Sequence, residues 1–436
     1  MEKITCTGCS LLCDDIIVKK DGSNIEEIIG ACLKGVERFE MISSKHRVLK
    51  PYIRDGDSLE EIDWDTALNK VVELINKSNN PLLYGFSNTT CEAQLKAIEL
   101  AREINGFIDS NSTICQGKAL NVAKETGFTT STLTEVINKS DVMILWGFNA
   151  VESIPRLLNK ILFSRGKFRM TGREIKTIII LDPIKTDSFN VMGPRDIALL
   201  IEPDKDIELI ETLKEICCTE NALPSNEVAG LDKDDFKRLQ TNLTNSEYIS
   251  IFVGQGLLKN QEGKNPLKSL FELIDIINER NKKGRASIIL AGGHFNMMGF
   301  EHVALSNTGQ NQSLSFNNHQ LIESQETIIS KIENKDFDLS IILGTDPISH
   351  LPMRLSKKLA SKPIILIDNS RSGTYLIADL ILPTSISGLE TDGTAIRLDN
   401  VPIKLKKVID APQNLLSDED LLNKIIEKLR EKREGI

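Results

Sequence analysis

Seven short apolar runs, separated by helical patterns, constrain the fold of this chain more than any other feature of its sequence. Several runs are apolar throughout, which is typical of parallel strands covered by helices on both faces. The predicted strands are Leu82–Phe86, Val142–Trp146, Thr177–Leu181, Ser250–Val253, Ser287–Leu290, Ser340–Leu343 and Ile364–Ile367. Because strands of this kind alternate with helices, the sequence predicts an α/β chain with doubly wound parallel sheets.

Nearly every predicted strand is followed by glycine, aspartate or asparagine. These strand ends are Gly147-Phe148-Asn149, Asp182-Pro183, Gly254-Gln255-Gly256, Gly292-Gly293-His294, Gly344-Thr345-Asp346-Pro347 and Asp368-Asn369. Ligands of open α/β sheets bind at the carboxyl ends of the strands, where small residues let a phosphate approach the backbone. One such turn is common in α/β proteins, but the whole set favours a nucleotide-type site.

A weak internal repeat relates two of these strands. Val142–Leu158 and Ser340–Leu355 each contain a strand, a glycine turn, a proline and an arginine, and each precedes a strand that ends in aspartate. Two unrelated βα units would give the same pattern. The alternative is a pseudo-symmetric pair of dinucleotide sites, one in each half of the chain.

Four cysteines form the second constraint, and they are Cys6, Cys9, Cys13 and Cys32. Such a set can hold one iron–sulfur cube, and the same four residues could bind tetrahedral zinc. A small β-rich region is expected around them, with a hairpin that returns the fourth cysteine to the other three. Structural disulfides are the third possibility, but the chain's eight cysteines, without an export signal, favour metal sites or buried thiols.

The composition excludes some classes of function. The chain has 436 residues, 40% of them hydrophobic, and a formal net charge of −9. It can therefore bury a large core, but it lacks the basic surface of a nucleic-acid-binding protein. No basic and apolar leader precedes the cysteines and no apolar run is long enough to span a bilayer, so we expect a soluble cytoplasmic protein.

We expect four regions along the chain. Residues 1–62 form the β-rich subdomain with the cysteines, and residues 63–240 form a first α/β dinucleotide-binding region. Residues 241–410 form a second such region, and residues 411–436 form a C-terminal helix.

The order of these motifs resembles that of molybdopterin and tungstopterin oxidoreductases of the formate-dehydrogenase type. Within this group, the chain resembles the B subunits of formylmethanofuran dehydrogenases over essentially its whole length. The residues that carry it are the opening cysteines with Cys13-Asp14-Asp15, then Cys91-Glu92-Ala93-Gln94, Asp182-Pro183-x-Lys185-Thr186-Asp187, Gly293-His294-x-Asn296, Gly299-Phe300, Asp346-Pro347, Ala378-Asp379, and Gly393-Thr394-Ala395-x-Arg397 with Val401-Pro402-Ile403.

The resemblance implies a fold like that of formate dehydrogenase and DMSO reductase. In it, two pterin guanine dinucleotides hold one tungsten or molybdenum atom, and the opening cysteines hold a 4Fe–4S cluster. Cys115, within Thr113-Ile114-Cys115-Gln116-Gly117, aligns with the family's metal ligand, and a thiolate suits such a soft metal.

Each candidate site residue receives a role within this resemblance. Cys115, Gln116 and His294 are the candidate catalytic residues. The candidates for cofactor binding are Gly147, Asn149, Asp182, Lys185 and Thr186 at one dinucleotide, Asp346, His350 and Asp368 at the other, Gly254, Gly256, Gly293 and Asn296 at pyrophosphate turns, and Glu390, Gly393, Thr394 and Arg397 in a loop over a pterin. For any one of them alone, ordinary strand-end capping is the alternative.

The resemblance also implies partners. Larger relatives carry a C-terminal β-barrel domain over the pterins, and we expect a separate small subunit to supply it here. A metal-dependent, amidohydrolase-like subunit would join formate to methanofuran, and a ferredoxin-like carrier would deliver electrons.

Two positions depart from the family pattern. Gln116 stands where the family usually has a histidine, and Gly292 stands where it has an arginine. Histidine can relay protons near neutral pH, and arginine can hold a carboxylate with two hydrogen bonds. Glutamine and glycine can do neither.

Two functions are therefore compared. The first is an oxidoreductase subunit of one-carbon metabolism, as in methanogenesis, that interconverts CO2 and formate at the metal centre. The second is a redox-inactive scaffold in a formyltransferase/hydrolase-type complex. The intact cysteines favour the first function, the two departures favour the second, and we rank the first ahead.

Overall fold

The structure is a computed structural model that describes residues 2–22, 24–167, 172–219, 223–259, 261, 263–280 and 284–434. Its strands are β1 (Glu2–Ile4), β2 (Ile16–Asp21), β3 (Asn24–Ile29), β4 (Tyr52–Asp55), β5 (Ser58–Glu61), β6 (Pro81–Gly85), β7 (Phe107–Ser110), β8 (Val142–Trp146), β9 (Thr177–Asp182), β10 (Ile197–Leu200), β11 (Tyr248–Val253), β12 (Arg285–Leu290), β13 (Leu314–Asn317), β14 (Gln320–Ile322), β15 (Leu339–Leu343), β16 (Ile364–Ile367), β17 (Leu380–Leu382), β18 (Gly393–Ile396) and β19 (Pro402–Leu405).

The helices connect these strands and cover the sheets. They are α1 (Leu33–Glu40), α2 (Trp64–Lys77), α3 (Cys91–Glu103), α4 (Gly117–Thr126), α5 (Leu133–Lys139), α6 (Ala150–Ser153), α7 (Asp206–Cys218), α8 (Lys233–Asn245), α9 (Pro266–Arg280), α10 (Met297–Thr308), α11 (Ile328–Asn334), α12 (Pro347–His350), α13 (Met353–Leu359) and α14 (Asp418–Glu434). Within the described residues, none of the helices has the length and apolar character needed to cross a membrane.

All the strands predicted from apolar runs are present, with ends shifted by no more than one or two residues. The expected hairpin near the cysteines is also present, because β2 and β3 pair antiparallel across a turn in which Gly22 has a φ of +56°. The patterns missed several strands of three or four residues, such as β7, β10 and β17. Runs this short carry too little periodicity to predict.

The chain forms two compact units. Unit 1 consists of Met1–Gly117, His294–Arg397 and Pro402–Ile436, and unit 2 consists of Lys118–Gly293 and Leu398–Val401. These units are discontinuous in sequence, whereas the four expected regions are continuous. Those regions stay a prediction.

Unit 2 is built on a five-stranded parallel sheet in the order β10-β9-β8-β11-β12. The chain starts at β8, moves outward through β9 to β10, and then returns to the other side of β8 with β11. The direction of winding therefore reverses between β8 and β11, and such a switch point opens a crevice at the carboxyl ends of the strands. Buried aliphatic side chains pack helices α7, α8 and α9 against this sheet.

Glycines occupy the turns at this switch point because backbone meets backbone there. Gly147 follows β8 with a φ of +56°, and its carbonyl accepts a hydrogen bond from the amide of Gly256 at 3.3 Å. A Cβ on Gly254 would overlap the carbonyl oxygen of Gly147. No side chain fits at that contact, so Gly254 cannot be replaced by a larger residue without moving the backbone of Gly147.

Unit 1 repeats this arrangement within a nine-stranded sheet. Its parallel centre runs β7-β6-β15-β16-β17, and the winding reverses between β6 and β15. Gly85, with a φ of +124°, ends β6, and a Cβ there would overlap the carbonyl oxygen of Leu343. Each unit therefore has one glycine-lined switch point, as the internal repeat predicts.

We expect Gly254→Ala to lower the free energy of unfolding by about 3 kcal/mol, because its methyl group would overlap the backbone of Gly147, which cannot move like a flexible side chain. Gly293→Ala is the matched control, since a Cβ there meets nothing within 4 Å. Urea titrations followed by tryptophan fluorescence measure both. Equal stability of the two variants would contradict the steric explanation.

Candidate functional site

The opening cysteines are gathered in unit 1 by a tight loop and by the start of α1. Cys6, Cys9 and Cys13 are buried, and Cys32 caps the amino end of α1. The loop closes on itself, because the amide of Cys6 donates to the carbonyl of Cys13 at 2.9 Å. A Cβ on Gly35 would lie 3.2 Å from Cys6 Sγ and 4.0 Å from Cys32 Sγ. Thiols from both segments therefore approach the same glycine.

The electrostatics of these thiols show that they share one environment. Burial, followed by the neighbouring cysteine thiols, raises the pKa of Cys6 to about 11 and that of Cys9 to about 12. Across the described part of the chain, no three histidine, cysteine or acidic side chains are grouped as a single metal ion would need.

A cavity of roughly 400 Å³ lies beside the cysteine loop, at the switch point of the unit 1 sheet. Lys34 and Arg38 from α1 line it together with the turn at Gly344 and the strand-end carboxylate of Asp368. Asn369 also lines it, and its buried Oδ1 has no hydrogen-bond partner among the described residues. Cations, exposed backbone and unsatisfied acceptors together fit an anionic ligand that also carries hydrogen-bond donors, such as a guanine dinucleotide.

Arg38 is a cavity residue that the sequence patterns did not single out. Its Nε donates to Thr7 Oγ1 at 3.2 Å, its Nη2 donates to the carbonyl of Ser387 at 3.2 Å, and its guanidinium lies 5.6 Å from the ring centre of Phe295. It thus holds a positive charge against the cysteine loop. The sequence signal that could have identified Arg38 is its position on α1, one helical turn after Lys34.

The three residues predicted for the second dinucleotide divide into two groups. Asp346 and Asp368 line the cavity, whereas His350 lies with its Nε2 3.4 Å from the hydroxyl of Tyr84. The carboxylate of Asp346 accepts hydrogen bonds from the amides of Gly373 and Thr374 at 2.9 and 2.8 Å. Although burial opposes the shift, these bonds and those from the Ser349 and Thr374 hydroxyls lower the pKa of Asp346. This carboxylate therefore anchors the neighbouring loop.

The late loop predicted to cover a pterin is fixed to unit 1 by polar contacts. Glu390 is buried and pairs with Arg47, and its Oε1 has no hydrogen-bond partner within the described ranges. The amide of Thr394 donates to Glu92 Oε2 at 2.9 Å, and Gly393 has a φ of +158°. Arg397 directly follows β18 in this loop. The role of these residues toward a pterin stays a prediction.

Asn296 lies at the centre of three segments of unit 1. Its side chain is fully buried, its Nδ2 donates to Thr89 O at 2.7 Å, and its Oδ1 accepts from the amide of Ile396 at 2.8 Å. Gln94 donates to its carbonyl at 2.9 Å. This carboxamide holds the start of α10 to α3 and β18, so its predicted contact with a pyrophosphate remains a prediction.

The candidates for the first dinucleotide lie in unit 2 at the ends of its strands. Burial raises the pKa of Asp182, which ends β9. Asn149 accepts a hydrogen bond from Ser188 Oγ at 3.0 Å, and Lys185 is exposed. Thr186 Oγ1 is buried and, among the described residues, lacks a hydrogen-bond partner. Gly147, Gly254 and Gly256 form the switch-point turns described above, and Gly293 follows β12.

Cys115 lies in a compact loop of unit 1. It follows a 3-10 turn at Asn111–Ile114, it is half-buried, and its amide donates to the carbonyl of Ser112 at 2.8 Å. The next side chain, Gln116, is buried, and its Nε2 lies 2.9 Å from Met298 Sδ. The glutamine that replaces the family's histidine is therefore packed against α10.

Of the three candidate catalytic residues, His294 is the one that carries an imidazole. Partial burial, then the nearby His350 and Lys34, lowers its pKa below the ordinary value. The pKa falls to about 4, so the imidazole is neutral at pH 7 and is a weak base there.

We expect Asp368→Asn to become more stable than the wild type as the pH rises from about 5 to 7. Burial raises the pKa of Asp368 to about 7, so between its ordinary pKa and pH 7 the unfolded state ionises while the folded state keeps the proton. As the pH rises through that window, the free energy of unfolding of the wild type falls, and it falls no further above the folded-state pKa of Asp368. Urea unfolding at several pH values measures the difference. Asp346→Asn is the control, because its lowered pKa gives no such trend there, and a flat difference for Asp368→Asn would contradict the assignment.

Comparison with known proteins identifies the family. The model of the molybdopterin oxidoreductase family matches residues 47–428. The B subunit of tungsten-containing formylmethanofuran dehydrogenase 2 is 30% identical to this chain in Methanocaldococcus jannaschii and 29% identical in Methanococcus maripaludis, with 99% of each chain covered in both cases.

Solved structures agree in fold. A chain of the formyltransferase/hydrolase complex from Methylorubrum extorquens, solved with methylofuran, matches with a TM-score of 0.68 and 19% identity, over 88% of this chain and 99% of that one. Acetylene hydratase from Pelobacter acetylenicus matches with a TM-score of 0.72 and 13% identity, over 99% of this chain and 70% of that one. The chain therefore belongs to the molybdopterin oxidoreductases and, within them, to the family of formylmethanofuran dehydrogenase B subunits.

Proposed function

We propose that this chain is the subunit of a formylmethanofuran dehydrogenase complex that interconverts CO2 and formate at a tungsten or molybdenum bis-pterin centre. The observation that carries the proposal is the pair of glycine-lined switch points, because each unit then offers one dinucleotide crevice. Family membership supports the cofactor, since the molybdopterin oxidoreductases take their name from it.

The residues of both crevices fit their proposed ligands. In unit 1, Lys34 and Arg38 supply positive charge for a pyrophosphate, and Asp368 and Asn369 supply acceptors for guanine N–H groups. In unit 2, the turns around Gly147 and Gly254 carry no side chain that would keep a phosphate from the backbone, and Asp182 and Thr186 lie at the next strand end. Cys115 would bind the metal through its sulfur.

We propose that the cysteine loop holds a 4Fe–4S cluster in preference to zinc, because a pterin–metal centre in the same chain would need a path for electrons. Cys6, Cys9 and Cys13 are buried, and the thiols of Cys6 and Cys32 both approach Gly35. The positive charge of Arg38 beside Cys6 would stabilise the electron-rich, reduced form of a cluster. We propose that electrons reach the pterin centre through this cluster.

Conversion of CO2 to formate consumes two electrons and one proton, and the bound metal centre supplies the electron exchange with carbon. The chain's own residues then have to manage the proton and the charge. His294 is neutral at pH 7 and, with its pKa lowered to about 4, can pass a proton on but not store it. Gln116 cannot titrate, and its amide Nε2 is engaged with Met298.

A redox-inactive scaffold is the second candidate. The glutamine at position 116 and the glycine at position 292 favour it, because the chain offers neither an imidazole nor a guanidinium at those positions. The fold similarity to a chain of a formyltransferase/hydrolase complex is compatible with it. We rank it second because the opening cysteines and the polar residues of both crevices are all present.

We further propose that the chain works in the cytoplasm with other subunits. These are a small subunit that covers the pterins, an amidohydrolase-like subunit that receives formate, and a ferredoxin-like electron carrier. The support is membership of a family whose names specify one lettered component of a larger enzyme.

We expect the purified complex to contain about one tungsten or molybdenum atom per chain and to reduce CO2 to formate with a low-potential donor. Cys115→Ala should lower the metal content and the activity at least tenfold, because it removes the sulfur ligand. Cys218→Ala is the control, since this exposed cysteine lies outside both crevices. Elemental analysis and formate quantification decide the outcome. Metal without CO2 reduction would favour the scaffold, and absence of metal would refute the proposal.

We expect a broad visible absorbance near 400 nm that dithionite bleaches, as iron–sulfur clusters give. Cys9→Ser should abolish or strongly reduce it, whereas Cys218→Ser should leave it unchanged, because only the first removes a buried thiol of the loop. Iron and zinc analysis of the same samples checks the metal. A colourless protein with stoichiometric zinc would contradict the assignment.

A further inference from the structure

We propose that Glu301 is a positioning residue for Cys115. Through a buried hydrogen bond to Ser112, it holds in place the loop that carries the cysteine. The inference rests on the proposed function, because it takes Cys115 as the metal ligand. It concerns a carboxyl group that none of the sequence motifs includes.

Glu301 lies on α10 and its side chain is buried. Oε1 is hydrogen-bonded to the hydroxyl of Ser112, and Oε2 accepts from Asn311 Nδ2 at 2.7 Å. Both carboxyl oxygens are thus engaged, one by the loop and one by the residue that fixes the carboxyl itself. A buried group with both oxygens paired has one preferred orientation.

Ser112 in turn determines the geometry of Cys115. The carbonyl of Ser112 accepts the amide of Cys115 at 2.8 Å, and the Ser112 hydroxyl lies 2.6 Å from that of Ser110. A Cβ on Gly117 would lie 2.9 Å from the oxygen of Ser112. Because residues on both sides of Cys115 pack against Ser112, a shift of Ser112 would move the cysteine.

A second buried acid, Asp109, holds the adjacent hydroxyl but in a different way. It accepts the hydroxyl of Thr113, and backbone amides reach both of its oxygens, from Ser110 at 2.9 Å and from Ile328 at 3.2 Å. An asparagine in place of Asp109 would turn its side-chain N–H group toward a backbone N–H group, and two donors cannot form a hydrogen bond. Among the described residues, the hydrogen-bond partners of Glu301 are side-chain groups, so a glutamine can replace it.

The protonation of Glu301 agrees with this difference. Burial raises its pKa to about 8, with a further contribution from Asp109. Near pH 7 it therefore carries a hydrogen that can lie between Oε1 and Ser112, while Oε2 still accepts from Asn311. Glutamine reproduces that pattern, with its amide nitrogen at Oε1 and its oxygen at Oε2.

The test compares Glu301→Gln, Glu301→Leu and Ser112→Ala in the assembled complex. Hydrogen–deuterium exchange of a peptide spanning residues 111–117 reports the loop, and a peptide from β16 reports the remainder of unit 1. We expect Leu at 301 and Ala at 112 each to speed exchange of the loop about tenfold without changing β16, and to lower the metal content several-fold. Glu301→Gln should restore both values to within about twofold of the wild type.

The double variant Ser112→Ala/Glu301→Leu should be no worse than the poorer single variant, because both changes remove the same hydrogen bond. Additive effects, unchanged exchange in Glu301→Leu, or a Gln variant as damaged as the Leu variant would each overturn the proposal. If Glu301→Leu does not fold, Ser112→Ala and Glu301→Gln still decide it. A wild-type complex without tungsten or molybdenum would refute the proposed function instead, and loop exchange would then test the positioning role alone.

Discussion

Contact between backbones at the switch point of each sheet is the constraint on which the rest of the structure depends. In unit 2 the turn at Gly254 lies against the carbonyl of Gly147, and in unit 1 Gly85 lies against the carbonyl of Leu343. A side chain at either glycine would separate strands that have to be neighbours. The same steric requirement keeps side chains away from the carboxyl ends of these strands, where a phosphate can approach the backbone. Closure of the sheets and creation of a ligand crevice therefore have one cause.

Polar side chains then fix the loops of unit 1, with Asn296 and Glu301 buried and Asp346 half-buried. The carboxylate of Asp346, the carboxamide of Asn296 and the carboxyl of Glu301 each bridge segments far apart in sequence. Burying such groups is costly unless their partners are correctly placed, so these networks favour one arrangement of the loops. Loops fixed in this way are pre-organised, and a pre-organised site loses less entropy when any ligand binds.

These contacts show what the departures from the family pattern mean for the side chains around Cys115. Gln116 is packed against Met298, so the space next to Cys115 is bounded by a group that cannot titrate. Proton transfer in the proposed reaction then depends on other groups, since the lowered pKa of His294 leaves its imidazole unprotonated at neutral pH. Positive charge near the cysteines comes from Arg38, which is held between Thr7 and Ser387. The positive charge beside the cysteine loop is thus held in place by hydrogen bonds, and the residue next to Cys115 cannot take up or release a proton.

The sequence by itself determined the parallel strands, their glycine-rich ends, the cysteine hairpin and the family, because apolar periodicity and turn residues act over a few neighbours in the chain. It could not distinguish a residue that binds a ligand from one that anchors a loop. Asp346 and Asn296 carry strong motif signals, yet their polar atoms are engaged by backbone and side-chain groups of this chain. Arg38 and Glu301 carry no motif signal, because their roles depend on partners such as Ser387 and Ser112 that lie far away along the chain. Only the tertiary structure decided those pairings, since long-range hydrogen bonds follow from how the sheets pack and not from local sequence.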